Sequence, residues 1–539
     1  MEDNIMDFKK LIFFKEPREK NTFSLEKRQK YKKQSHDNFK ISCRIKLNED
    51  YIKKRLNYPK NNDIVIKDFV IKGERRCFIV LIEGMANSQI TDTAIIETML
   101  KMPYISDEKI YTSKDAVIKK LIAHTQSSST DDMEKIIEEI NFGSCAVFVD
   151  GFDIGFLMDV RGWEHRNIGK PENEQSIYGP QEAFSEMLRT NSALIRKILK
   201  TEKLICEGVT IGTVSKTKGV LMYVEDIVND ELVEEVKRRI DGIKKDYIIA
   251  SEEVALFLDE SKSSLTNQII ATERPDRVAM ALADGRVALI LNGRPRALIF
   301  PTTIYELMHT ATDAYLKPVY ANTARIIRMF GMFISLLVPG IYLAITLFHQ
   351  EMIPTYLLYA ISASRENVPF PSLIEMLLMN FSFEIIRQAG IQMPGPIGST
   401  LGIVGGLILG QAAVSAKIVS PIMIIIIAIT GIGSFATSDY TLSWTHRILR
   451  VIFMLLGAGI GFFGIAIGIF IYAVMLGAEK NFGVSFLSPE PSRGWKAMIG
   501  TLFVNPIYKQ EERPDFLKTK NPVKEPKISM AWKYGKEDK

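Results

Sequence analysis

The sequence predicts a multi-domain protein: a cytoplasmic mixed α/β N-terminal domain in two subdomains, then an α-helical polytopic membrane domain of four or five spans. Three observations lead there. The 539 residues exceed the size at which a single core stops growing. Charged residues crowd before Arg328 and after Ala478, and long charge-free runs lie between. Ahead of those runs, short apolar segments alternate with turn signals, as in a sheet-containing soluble domain.

The first sixty residues carry 17 Lys or Arg against 9 Asp or Glu. Residues 1–40 are therefore expected to form a basic, poorly ordered arm, solvated or weakly drawn to anionic lipid headgroups. The opening MEDNIMDFKKLIFFKE holds acids and no apolar run of seven, so it is not a secretory signal, and the N-terminal side is expected in the cytoplasm. Cys43, Cys77, Cys145 and Cys206 are widely spaced without a C-x-x-C pair, which reads as reduced, idle thiols.

Residues 41–320 are expected to be the α/β domain, with a subdomain break near 160–180, where Gly, Pro, Asn and Glu accumulate. CFIVLIEG (77–84) reads as a buried strand, with helical spacing from Thr91 to Leu100. Residues 112–140 look helical. SCAVFVDG and FDIGFLMDV meet at the turn dipeptide Asp150-Gly151. A helix is expected after Gly179-Pro180 to about Leu199, then strands at GVTIG and KGVLMYVED and a charged helix from Asp230 to Ile243. RVALILNGRPRALIF predicts a hairpin turning at Asn292-Gly293 and closed by Pro301.

Residues 321–480 are expected to be the membrane domain, with spans near 329–348, 388–416, 418–438 and 451–478; runs of about 20 apolar residues cross a bilayer as helices. Arg325 and Arg328 precede the first run, which places its N-terminal end in the cytoplasm. Residues 349–387 contain Pro354, Pro369 and Pro371 among six charges and read as re-entrant or interfacial. Counted as non-spanning they give four spans and a cytoplasmic tail; counted in part as a span they give five and a tail outside. The tail, 481–539, is basic.

No catalytic signature appears, so no enzyme activity, metal or cofactor is expected, nor a nucleic-acid partner. GTVSKTKG (212–219) lacks the Gly-Lys-Ser/Thr order of a phosphate-binding loop, and the six histidines have no ligand partners in the sequence. The membrane domain is more informative. Gly402, Gly406 and Gly410 recur every fourth residue, as do Gly457 with Gly461 and Gly464 with Gly468. Such faces let helix backbones approach closely, either within one chain or between oligomer subunits. Glu375, Asn380, Glu384, Arg387, Arg365 and Glu366 are candidates for an ion path or its gate, because charge at membrane depth usually marks a cavity or conduction route. Asn380, Glu384 and Arg387 share one helical face, and Glu375 lies opposite. The plainer reading of Glu384 and Arg387 is a self-neutralising pair.

The strings DVRGWEHR (159–166), EMLRTNSALIRK (186–197), TERPDRVAMALADGRVALILNG (272–293), FHQEMIPT (348–355), SRENVPFP (364–371), FEIIRQAGIQMPGPIG (383–398), GQAAVSAKIVSP (410–421) and FGVSFLSP (482–489) resemble the GerA family of spore germination proteins, the A subunits of germinant receptors. The resemblance runs from about residue 41 to 490. It implies a multi-pass protein of the spore inner membrane, a transporter-like B subunit and a lipoprotein C subunit as partners, and homo-oligomers forming a nutrient-gated channel for monovalent cations. Two alternatives accompany it: an accessory channel of the same family acting in sporulation without its own nutrient, and a secondary nutrient transporter. No repeat relates 329–387 to 388–478, as many transporters would require, though the Pro-rich stretch 349–371 suits one.

Overall fold

The computed structural model describes residues 39–71, 75–101, 127–161, 178–261, 264–392, 396–489, 502–506 and 510–524, with a few isolated positions besides. The arm expected over 1–40 lies almost wholly outside them.

The N-terminal part is built on two five-stranded sheets. The first holds β1 (Ile64–Ile71), β2 (Arg75–Ile82), β3 (Ser127–Thr130), β4 (Cys145–Val149) and β5 (Gly155–Met158), in the order β1-β2-β4-β5-β3. The second holds β6 (Leu204–Ile211), β7 (Thr217–Val224), β8 (Ile270–Thr272), β9 (Val287–Leu291) and β10 (Ala297–Phe300), in the order β6-β7-β9-β10-β8. Helices fall at equivalent places. α1 (Ile45–Arg55) and α4 (Leu188–Ile198) precede the first strands. After the second strands come α2, a helical segment from Ser88 to Lys101 with a π-type centre, and the pair α5 (Asp230–Asp241) and α6 (Ser251–Leu258). α3 (Met133–Asn141) and α7 (Pro275–Ala283) precede the closing hairpins. The two units therefore trace one path twice. The sequence suggests two subdomains but hides the duplication, because equivalent core positions need only be apolar and of suitable size.

All ladders described in both sheets are antiparallel. Both faces of the first sheet are covered: Cys145, Val147 and Val149 enter one core, and Ala146 and Phe148 enter the other, following the two-residue strand period. α3 is capped by the Asp132 side chain, which accepts from the Glu134 amide, and it buries Met133, Ile136, Ile137 and Ile140 at helical spacing. The helix expected over 112–140 differs from this. Residues 127–130 form β3, paired with β5, the helix occupies only 133–141, and 112–126 lie outside the described residues. The hairpin at Asp150-Gly151 has a longer loop than a two-residue turn, since Val147 opposite Phe156 is its last pair. β9 and β10 form the expected hairpin, with Gly293 at φ +75°.

The C-terminal part is helical. α8 (Ile304–Met308) leads into α9 (Pro318–Phe348), 31 residues and, among the described residues, the one helix long and apolar enough to cross a membrane. α10 (Thr355–Arg365), α11 (Ser372–Gln392), α12 (Pro396–Ser415), α13 (Pro421–Phe435), α14 (Tyr440–Ile460) and α15 (Phe462–Ala478) follow. α13 and α15 are apolar but shorter, at 15 and 17 residues.

These helices divide the sequence differently from the charge-free runs. The stretch 349–387 holds α10 and most of the 21-residue α11. The run 388–416 falls on the end of α11 and all of α12, and 451–478 falls on two helices joined at Gly461, whose φ of +67° suits glycine at a chain reversal. Absence of charge marks composition; it does not mark helix continuity. Neighbouring residues give the directions. Ser335 meets Arg450 and Gly340 meets Gly457, so α9 and α14 run parallel. Glu375 meets Ser420 and Arg387 meets Ser434, so α11 and α13 run together, and opposite to α14, where Asn380 meets Arg450 and Glu384 meets Arg447. Among the described residues, α9 and α11 to α15 run through the bundle in alternating directions. The chain then returns to the α/β domain: β11 (Lys480–Asn481) and β12 (Val484–Ser485) form a hairpin whose Phe482 packs on Phe300 at 5.1 Å between ring centres, and Lys520 pairs with Asp230 at 2.6 Å. The described tail thus sits beside the N-terminal domain.

Candidate functional site: two polar clusters in the helical bundle

Most of the candidate residues fall into two clusters at opposite ends of α11. At the end far from the α/β domain, Glu375 is fully buried. Its Oε1 accepts from the Ser420 amide at 2.5 Å and the Ser420 hydroxyl at 2.7 Å, at the N-terminus of α13. Arg365, from the end of α10, places Nε 3.8 Å from Glu375 Oε2. Around this loose pair the buried Tyr342 hydroxyl, Ser372 hydroxyl, Arg365 Nε and Glu375 Oε2 have no hydrogen-bond partner among the described residues. Glu366 is exposed just past α10 and joins neither cluster.

At the end near the α/β domain two arginines converge on one carboxylate, and a third lies beside them. Glu384 Oε1 accepts from Arg387 at 3.1 Å and from Arg447 at 2.9 Å. Arg387 also donates to the Ser434 hydroxyl at 3.1 Å, and Arg447 to the Ser443 hydroxyl at 3.1 Å. Arg450 is 2% exposed and donates to Ser335 O at 2.7 Å, Ser335 Oγ at 2.8 Å and Asn380 Oδ1 at 3.1 Å. It is hydrogen-bonded throughout, yet no carboxylate pairs with it. The cluster therefore carries three positive charges against one negative. The pairing of Glu384 with Arg387 is present, but Glu384 also serves an arginine from another helix. Arg447 and Arg450 fall outside the sequence candidates, because the last charge-free run begins only at Val451. The signal lay upstream: Asp439 caps α14 through the Thr441 and Leu442 amides, which starts the helix early and carries both arginines inward.

The glycines separate into two groups. A Cβ on Gly457 would collide with the Gly340 carbonyl, one on Gly464 with the Leu456 carbonyl, and one on Gly468 with the Phe453 ring at 2.8 Å. These serve packing within the chain. On α9, Gly340 faces Gly457 and Gly331 faces Gly433 of α13; sequence spacing misses both, because their contacts lie on another helix. Gly461 is the reversal between α14 and α15. Gly410 has only ordinary contact with Ile424, and a Cβ on Gly406 would meet nothing within 4 Å. Of Gly402 only its place in α12 is described.

The bundle joins the α/β domain through further ionic contacts. Asp313 accepts from Arg325 at 3.0 Å and also pairs with Arg328; although burial opposes ionisation, the two guanidiniums hold its carboxyl below the usual range. Just past α15, Glu479 accepts from Ser264 of the α/β domain. Nearby Asp259 is pushed up to about 7 by burial, with the Glu479 charge adding to the effect.

A duplicated α/β domain seated on a helical bundle with charges buried between its helices describes a membrane-associated class of protein. Residues 50–516 match the family described as Bacillus/Clostridium GerA spore germination protein, and the chain belongs to that family. It is 34% identical over 472 residues to spore germination protein KA of Bacillus subtilis (strain 168), covering 87% of this chain and 86% of that one. It is 35% identical over 428 residues to the uncharacterized membrane protein YfkQ of the same organism, covering 79% and 82%. The crystal structure of the N-terminal domain of the A subunit of the Bacillus megaterium spore germinant receptor GerK3 is matched at 25% identity, over 49% of this chain and 97% of that one, with a TM-score of 0.37.

Proposed function

We propose that this chain is the A subunit of a nutrient germinant receptor in the inner membrane of the spore. Its helical domain lies in the bilayer, and its α/β domain and tail lie on the cytoplasmic side. It assembles with further copies of itself, a transporter-like B subunit and a lipoprotein C subunit into a nutrient-gated channel for monovalent cations. Membership of the GerA family carries this reading. The length and hydropathy of α9 support insertion, and Arg325 and Arg328 at its start favour a cytoplasmic entry. The return of the tail to the α/β domain supports an even number of crossings.

The arginine surplus bears on where cations pass. Three guanidiniums against one carboxylate repel cations, so the path runs between copies and avoids the near end of a single bundle. Gly406, with open space before it, offers a face for that approach. A transporter would expect helices broken at mid-membrane, whereas the chain reverses direction between α11 and α12 and between α14 and α15.

The test is potassium release from spores after nutrient addition, normalised to receptor level by immunoblot. Spores lacking the chain should lose nutrient-triggered release, and the wild-type gene should restore it; release that persists without the chain refutes the assignment. Glu384→Gln should leave release per receptor unchanged, and a fall would return that carboxylate to the ion path.

A further inference from the structure

The near-end cluster is unbalanced. Buried charges are costly unless paired, and removing water from a guanidinium without a counter-charge is costlier than burying a neutral group. Arg387 and Arg447 are each 8% exposed, and the buried Nε of each has no hydrogen-bond partner among the described residues. Both lie against exposed aromatic rings. Arg447 sits 4.4 Å from the Trp444 ring centre and 6.0 Å from Tyr440, and Arg387 sits 5.8 Å from Phe435. Trp444, Tyr440 and Phe435 are 38%, 57% and 67% exposed. The Ser434 and Ser443 hydroxyls stand beside the same two guanidiniums.

This is the chemistry of an anion site: forked guanidinium donors with unused N–H groups and hydroxyls alongside. Its place selects the source. Arg447 lies within two turns of the α14 start and Arg387 within two turns of the α11 end, on the side of the bundle facing the α/β domain, and exposed Trp and Tyr are the residues that settle at headgroup level. We infer that Arg387 and Arg447, with Ser434 and Ser443, bind the phosphate of an anionic phospholipid of the cytoplasmic leaflet, and that Arg450 adds charge from behind. The bound phosphate supplies the negative charge that Glu384 alone does not.

The inference rests on the helical domain lying in a bilayer, and the experiment separates the two. The full-length chain, with Trp163, Trp495 and Trp532 replaced by Phe so that Trp444 is the reporter, is reconstituted in vesicles of phosphatidylcholine with phosphatidylglycerol. Quenching of Trp444 is compared with one lipid or the other brominated. Wild type should be quenched preferentially by brominated phosphatidylglycerol. Arg387→Gln and Arg447→Gln should each lower that preference about fivefold, the worth of one basic residue at an anionic surface. Glu384→Gln, which removes the competing carboxylate, should raise it, an outcome that a merely structural cluster would not give. Equal quenching by the two lipids, or a preference untouched by the arginine substitutions, overturns the site. If inorganic phosphate changes Trp444 fluorescence in an Arg447-dependent way while brominated phosphatidylglycerol quenches no more than brominated phosphatidylcholine, the site takes a free anion and the lipid assignment falls. No quenching by either lipid defeats the membrane reading itself.

Discussion

Arg196 and Arg450 are both fully buried, yet their surroundings differ. Arg196, on α4 of the second α/β unit, donates from Nε and Nη2 to both oxygens of Asp63 from the first unit, and Nη2 also reaches Asn61 Oδ1 and the Leu204 carbonyl. Arg274 is similar: it grips Asp276 with two bonds and donates to the Glu174 and Pro180 carbonyls. In the α/β domain each such guanidinium has its own carboxylate. In the bundle, Arg387 and Arg447 share Glu384, and Arg450 has only neutral partners. A charge that is buried and balanced holds two units together; a buried surplus asks for something from outside the chain.

The sharpest test removes Arg196. Arg196→Met leaves Asp63 buried without its partner between the two units, and should destabilise the domain by about 3–5 kcal/mol, as breaking a buried pair does. Limited proteolysis of the membrane-extracted chain reads the loss, and Asp63→Asn added to it should recover part. If the single variant resists protease like wild type, the pair is not what fixes the units.

Glycine contacts give the next effect. Gly340→Leu drives a side chain into the backbone at Phe453, and overpacking of this kind costs about 1–3 kcal/mol. Receptor abundance should fall. Gly406→Leu meets nothing in its own chain, so abundance should hold while crosslinked oligomers diminish. Equal loss in both would place Gly406 in intrachain packing.

Glu384→Gln should be milder, since Glu384 is partly exposed. It leaves Arg387 and Arg447 facing each other, costs on the order of 1 kcal/mol, and should lower abundance modestly. The Glu384→Gln, Arg387→Gln double variant should restore it. No recovery would mean that Glu384 is held for another reason.

The smallest effect is a pH dependence at the domain junction. Burial raises Asp259 from 3.8 to about 7, so its ionisation opposes the folded state. Stability from this group is complete below the unfolded value and is lost as pH rises through about 7. Melting temperature should fall over that interval in wild type and less so in Asp259→Asn. A parallel profile in the two would remove Asp259 as the source.

The sequence by itself determined what local composition can determine. The Asn292-Gly293 turn placed a hairpin, and the GerA motifs placed the family. Glu384 and Arg387 were legible as a pair because three residues along a helix bring side chains together. What the tertiary structure decided depends on residues far apart in the chain. Arg447 reaches Glu384 across 63 positions and Arg450 reaches Ser335 across 115, so the surplus charge appears only when α11, α14 and α9 are packed. The repeated topology of the two sheets and the Gly340–Gly457 approach were hidden for the same reason. Helical spacing records which residues share a face, while the partner of that face is chosen by packing.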